Sequence, residues 1–150
     1  MSFSRVATIH ALLAMALLAL AACSNTHARP RCTECGMPID PTSRWTAGVT
    51  NAAGEEQLFD TPKCLFRFMH GDDGRGASLA WFTEYYSQQR RPGTSLRFVT
   101  GSNLMGPMGA DLVPVEGAPA ARRFAADHLG QESLTYEHVD EAHLRALDPP

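Results

Sequence analysis

Lysine is almost missing from this chain, with Lys63 its single representative. Thirteen Lys and Arg stand against 16 Asp and Glu, for a formal net charge of -3. No basic stripe forms, and a nucleic-acid partner needs one to match phosphate, so none is expected. Also missing are a Gly-rich phosphate loop, a nucleophile elbow and paired carboxylates with a shared cleft. The chain is accordingly read as a binding protein and not an enzyme. No apolar run is long enough to cross a bilayer as a stable helix. Cysteine is limited to four residues, and there is no second Cys-x-x-Cys pair.

What is present describes a folded, exported protein. A hydrophobic content of 44% with 19% charge fits a globular chain, not a disordered one. The 150 residues suffice for one ordinary domain or two very small ones. Residues 1–22 read as a lipoprotein signal peptide: Arg5 supplies the positive start, and residues 11–20 (ALLAMALLAL) the short apolar core. The end, Leu20-Ala21-Ala22-Cys23, resembles a bacterial lipobox, in which the cysteine is acylated and becomes the first residue. The alternative is an ordinary leader cut at the Ala-x-Ala-like site, with Cys23 left as a free thiol. Loss of Arg5 with the leader takes the net charge from -3 to -4. Ser24, where an aspartate would retain the protein at the inner membrane, points to the outer one. Residues 23–31 form a lipidated tether, held by acyl chains such as palmitate and not by a helix.

Three cysteines remain after export: Cys32, Cys35 and Cys64. An odd number cannot all pair within one chain. Cys32-Thr33-Glu34-Cys35-Gly36-Met37 places three sulfurs in six residues. Such an exported pair can be a structural disulfide, a thiol redox centre or a metal clamp. A thioredoxin-like centre follows a buried strand and opens a helix; here no apolar strand precedes and Pro38 follows. A zinc ribbon needs a second pair, so zinc would have to recruit a histidine. Met37 adds a thioether, and thiolate with thioether is the donor set that favours Cu(I). Cys64 lies on the apolar face of an expected helix, as a small buried hydrophobe or as a ligand or redox partner. Met105 and Met108 stand in Leu104-Met105-Gly106-Pro107-Met108-Gly109, too glycine-rich for a helical core stripe. Its backbone suits a ligand supplied from the second half of the chain to a clamp in the first. His27, His70, His128, His138 and His143 are not expected as primary ligands.

The expected elements repeat. Residues 45–50 read as a strand, 51–54 as a hairpin turn and 56–59 as the return strand. Asp60 or Thr61 caps a helix, with Pro62 in its first turn and Cys64, Leu65, Phe68 and Met69 on one face. Gly71 ends it, 72–76 is a loop and 79–86 a third strand. After a polar link at 88–93, the order returns: strand 96–100, loop 101–110, strand 112–115, helix 119–129 and strand 133–136. The inner face of that helix is Ala121, Phe124, Ala125, His128 and Leu129. A closing helix, 141–147, is capped by Asp140, with Val139 against Leu144. The fold class is α+β: two small ββα-β units, at about 32–87 and 94–137, packed as one compact domain because neither alone can bury an adequate core.

Four segments in this order resemble the NosL family: the lipobox, Cys32 to Met37, Phe59-Asp60-Thr61-Pro62-Lys63-Cys64, and Gly106-Pro107-Met108-Gly109-Ala110-Asp111-Leu112-Val113-Pro114. The resemblance covers nearly the whole mature chain, and the Gly-Pro-Met-Gly segment is its most specific part. It implies a periplasm-facing lipoprotein of two ββα-β units that binds Cu(I) and delivers it during maturation of nitrous-oxide reductase. It implies Met108, with Cys35 or Cys32, as copper ligands; Met37 and Cys64 match further family positions. The expected partners are a copper-accepting metalloenzyme or its assembly machinery, including a membrane exporter complex, and the membrane itself. Two other readings stay open: an extracytoplasmic thiol-disulfide protein using Cys32 and Cys35 with Cys64 as resolving thiol, and a structural zinc platform.

Overall fold

The computed structural model describes residues 29–51, 53–74 and 79–148. The leader, Cys23 and His27 lie outside them. The first half opens with the hairpin β1 (Ala47–Thr50) and β2 (Glu56–Phe59), paired in antiparallel register from Ala47 opposite Phe59 to Thr50 opposite Glu56. Helix α1 (Pro62–His70) follows, and β3 (Leu79–Thr83) returns to pair with β1. The second half repeats the plan. Strand β5 (Leu96–Thr100) pairs with β8 (Val113–Glu116), helix α2 spans Gly117–Asp127, and β9 (Glu132–Thr135) returns to β5. In both sheets the first strand of the unit is central: β2-β1-β3 in one and β8-β5-β9 in the other. The expected α+β pairing of two ββα-β units is the observed architecture.

Local chemistry sets the helix ends. Thr61 caps α1 by accepting the Cys64 amide at 3.3 Å, and Pro62 occupies the first helical position. The closing helix α3 (Glu141–Ala146) is capped by Asp140, whose carboxylate accepts the His143 amide at 3.0 Å. The His143 ring accepts the Asp140 amide in return, a reciprocal box with histidine in place of the usual Glu or Gln.

The structure corrects several boundaries. The third strand stops at Thr83, not at residue 86. Glu84 accepts the Ser87 amide at 2.6 Å, Gln88 adopts a positive φ of 55°, and the Tyr85 amide donates to Pro114 at 2.9 Å. Tyr85 thus leaves its own sheet and packs on Phe124 of α2, with ring centroids 4.9 Å apart. Tertiary contact overrides the strand propensity of an aromatic run. The stretch read as a polar link contains a fourth strand, β4 (Arg90–Pro92), on the edge of the first sheet. It is held through its side chains: Arg90 stacks on the Trp81 indole at 3.8 Å and bonds Glu56 at 2.9 Å. The loop at 101–110 holds a two-stranded hairpin, β6 (Met105–Gly106) and β7 (Gly109–Ala110). Helix α2 begins two residues early, and Leu129 is not on its inner face. Leu129 lies beyond the helix at a positive φ of 58°, 69% exposed.

The two sheets share one core. Phe66 of α1 meets Phe82 of β3 at 5.2 Å and Phe98 of β5 at 4.9 Å, and Phe82 meets Phe98 at 4.8 Å. Strand alternation explains how β5 serves two layers: Leu96 and Phe98 enter this shared core, while Val99 packs with Phe124 and Ala121 under α2. Val139, Leu144 and Leu147 close the shared core from the C-terminal end. Gly48 allows Trp81 to cover β1, since a Cβ there would lie 2.6 Å from the indole. Among the described residues no helix is long and apolar enough to cross a membrane.

A second fastening is polar. Asp111, 2% exposed, accepts the backbone amides of Lys63 (2.9 Å) and Leu112 (2.8 Å) on Oδ1. Its Oδ2 is buried without a partner. Burial outweighs these bonds and pushes the carboxyl up from 3.8 to about 6. The folded protein therefore holds this proton between about pH 4 and 6 where the unfolded chain has lost it. The sign follows: this group favours folding most below about pH 4, and that contribution is lost as pH rises through 6. Asp111→Asn keeps an acceptor oxygen but cannot titrate. Between pH 4 and 6.5, the gap in unfolding free energy between the Asp111→Asn variant and wild type should shift in favour of the variant, by at most about 3 kcal/mol. Urea titrations at several pH values read this; a gap independent of pH would show that Asp111 titrates as in the unfolded chain.

Candidate metal centre

The Cys-x-x-Cys segment is a closed clasp. Arg31 and Pro38 form a β-bridge, the Cys32 amide donates to Met37 O at 2.9 Å, and the Gly36 amide donates to Cys32 O at 2.8 Å. The turn closes through Gly36 at φ 74°, a conformation glycine adopts without a Cβ penalty. Arg31 Nη1 seals it by donating to Gly36 O at 2.8 Å. Cys32 and the adjoining Ile39, both buried, anchor the clasp to the shared core. The tight turn leaves Cys35 half-buried at the edge.

The other wall is the entry to α1. Cys64 is the third residue of that helix, and Asp60 stands one residue before its cap. The extended backbone at Thr61 separates Asp60 from the helix, and the chain brings both side chains to the same side of its entry. The ligating atoms of Cys32, Cys35, Asp60 and Cys64 all lie within 4.8 Å of one another. Cys35 Sγ donates to Asp60 Oδ1 at 3.4 Å, and Asp60 Oδ2 is buried without a hydrogen-bond partner. All three thiols are free.

Proximity distributes charge unevenly among them. The Cys64 thiol beside Cys32 stabilises its thiolate, and despite burial the Asp60 and Cys35 amides help hold it down at about 6. Burial pushes Cys35 up to about 11, aided by the negative charge on Cys32. Cys64 is raised by its bond to Cys32 and by burial. The surroundings thus favour negative charge on Cys32 over Cys35 and Cys64. Three thiols and a carboxylate at this separation can close around one metal ion, and the sulfur majority suits a soft one.

The remaining candidates are three exposed methionines. Met37 closes the clasp through its carbonyl and is 36% exposed. Met108 sits in the turn of the β6–β7 hairpin, 38% exposed, and Met105 is 61% exposed. Lys63 Nζ donates to Ala110 O at 3.0 Å and to Met108 O at 3.4 Å, so the hairpin abuts the first turn of α1 beside Cys64. The structure thus brings Cys64 to the Cys-x-x-Cys pair, and the Met108 carbonyl to the ammonium of Lys63, the residue before Cys64. Cys64 is buried in the core and is also a member of the group.

The described histidines are engaged elsewhere. His70 bonds Val139 O at 2.8 Å, His128 packs on Phe124 at 4.6 Å, His138 bonds Thr135 at 2.6 Å, and His143 caps α3. Sequence reasoning missed Asp60, which it treated only as a helix cap. The available signal was the Phe59–Cys64 segment, which holds Asp60 and Cys64 together.

Comparison with curated protein sequences finds no match. Among solved structures, the chain is similar to the crystal structure of the copper chaperone NosL from Shewanella denitrificans, at a TM-score of 0.64 and 18% identity, over 77% of this chain and 92% of that one. At that identity the likeness establishes the fold. The NosL family model matches residues 24–144, which takes in both ββα-β units, the clasp, the Asp60–Cys64 turn and the Met108 hairpin. The chain belongs to the NosL family.

Proposed function

We propose that the protein is a lipid-anchored, periplasm-facing carrier that binds Cu(I) and delivers it to a maturing metalloenzyme, with nitrous-oxide reductase as the client that family membership suggests. The observation that carries this is the group of three thiols and one carboxylate within 4.8 Å, with Met37 in the same clasp as Cys32 and Cys35. Cu(I) is the cargo that thiolates and thioethers hold best. The proposed ligand set is Cys32, Cys35 and Cys64, with Met108 and Met37 at the rim. Asp60 is a poor donor for Cu(I); its part is to orient the Cys35 thiol through their hydrogen bond.

The burial gradient suits transfer instead of catalysis. Cys32 and Cys64 are 2% and 1% exposed, while Cys35, Met37 and Met108 face outward. An acceptor can replace the outer sulfurs one at a time while the inner pair still holds the ion, so bare copper is never released. The acceptor is the enzyme itself or its assembly machinery at the membrane.

A reduced, metal-free sample should retain about one Cu(I) through desalting and show little activity in an insulin-reduction assay. Robust reductase turnover without copper retention would favour the thiol-disulfide reading instead. Protons compete with copper for thiolates. Cys32 is ionised above about pH 6, but Cys35 must still release its proton on binding. Affinity measured against a Cu(I) chelator should therefore keep rising between pH 7 and 8. Cys35→Ser should lower that slope by about one proton. Equal slopes in the two proteins would remove Cys35 from the ligand set.

Cys23→Ala tests the anchor. The variant should be found in the soluble fraction, because no described helix can span a bilayer. Retention on membranes through a high-salt wash would refute acylation at Cys23 as the tether.

A further inference from the structure

Lys63 is the chain's single lysine, and it is 2% exposed. A buried ammonium carries a desolvation penalty that an apolar side chain of the same length would avoid. Its position needs a reason beyond filling space. The residue sits between the cap of α1 and Cys64, and it bonds the β6–β7 hairpin at both ends. Its amide donates to Asp111 Oδ1 at 2.9 Å. Its Nζ donates to Ala110 O at 3.0 Å and to Met108 O at 3.4 Å. The carbonyl it reaches at the tip thus belongs to the residue whose thioether is a proposed ligand.

The other contacts of the hairpin are at its base, where Ala110 packs on the shared core and Gly106 lies against Trp45 and Asp111. The hairpin pairs through only two residue pairs, Met105 with Ala110 and Gly106 with Gly109. Met105, Pro107, Met108 and Gly109 are all exposed, and three glycine or proline residues leave few side chains to pack. A two-stranded ribbon of this length does not hold one geometry alone in water. We propose that Lys63 is a positioning residue for copper: its ammonium holds the backbone of Met108 against the first turn of α1, so that the thioether stands ready beside the thiol of the next residue, Cys64. This rests on the Cu(I)-carrier reading and adds to it the element that joins the donors of the two halves.

The chemistry separates Lys63 from Asp111. Asp111 Oδ1 serves two backbone amides and ties the base of the hairpin to the helix. The lysine ammonium reaches the tip. Replacing Lys63 by leucine removes the ammonium and leaves the Met108 and Ala110 carbonyls without this donor, while the Asp111 bond to the residue 63 amide remains possible. Supporting groups of this kind alter metal affinity by about tenfold to hundredfold.

The test is a double-mutant cycle of Lys63→Leu and Met108→Leu in the reduced full chain. Cu(I) affinity is read by chelator competition, and urea stability is recorded alongside. Lys63→Leu should weaken Cu(I) binding by about the factor that Met108→Leu does, and cost little more when added to Met108→Leu. With methyl-labelled methionine, the Met108 resonance should shift on copper loading in wild type and stay in place in Lys63→Leu. Lys63→Gln, which retains a shorter donor, serves if the leucine variant does not fold, and should fall between the two. Equal losses from Lys63→Leu with and without the Met108→Leu change would assign Lys63 to general stability and overturn the proposal. An unchanged affinity in Lys63→Leu, where Met108→Leu is impaired, would also overturn it and leave the carrier reading intact. Failure of wild type to retain copper would sink both, and an unimpaired Met108→Leu would remove Met108 and the positioning role together.

Discussion

Asp111 accepts the Lys63 amide on the oxygen that also accepts the Leu112 amide. The first amide belongs to the opening turn of α1, where helical amides have no intrahelical partner. The second belongs to the chain entering β8. One carboxylate oxygen therefore caps a helix of the first half from the second half. Thr61 caps the next amide locally. Between them they fix the helix entry that presents Cys64, and they fix it relative to the hairpin that presents Met108. The aromatic contact of Phe66, Phe82 and Phe98 supplies the bulk attraction between the halves. That attraction is non-directional. The carboxylate bonds select the register in which the halves meet.

Much of this plan was legible in the sequence. The hairpin of β1 and β2 showed in apolar and polar runs around Asn51 and Gly54, and α1 in Thr61-Pro62 followed by an apolar face. The repetition of ββα-β followed from the order of such patterns. What failed did so where contacts distant in sequence, or a reversal of the chain, overrule local preference. The aromatic run through Tyr86 reads as one strand, yet Tyr85 is drawn to Phe124 by a layer that the local sequence does not contain. Strand β4, Arg90-Arg91-Pro92, has no apolar alternation and forms because Arg90 finds Trp81 and Glu56 on the same sheet. Leu129 fits the apolar period of α2 but lies past the last helical turn, where the chain reverses.

The site divides in the same way. Cys32, Cys35 and Met37 stand out because three sulfurs in six residues are rare. Cys64 was ambiguous, because a buried thiol and a ligand have the same helical signature until the facing wall is known. Asp60 was passed over because an aspartate before a helix has an ordinary explanation. Only the fold shows that Thr61 takes the capping role and leaves the Asp60 carboxylate turned to Cys35. Lys63 was counted only as a missing basic stripe. Its burial is not visible in a pattern of one.

A carrier faces opposed demands, since the bonds that make it selective also slow its release of cargo. In the proposed reading the conflict is resolved in space. The thiols most deeply held, Cys32 and Cys64, come from different elements, the clasp and α1, and are fixed by the core on both sides. Donors that must yield to an acceptor are on short segments at the surface: Cys35 and Met37 in a turn closed by Gly36, and Met108 in a hairpin two pairs long. Such segments are cheap to displace because few buried contacts resist their movement. The same weakness would leave the rim without a defined geometry before copper arrives. Side-chain bonds from Arg31 to the Gly36 carbonyl and from Lys63 to the Met108 carbonyl meet that need. Each fixes the main chain of a rim segment while leaving its sulfur side chain free to exchange. A rim built from larger packed side chains would be as well ordered, but it would have to unpack before the ion could leave.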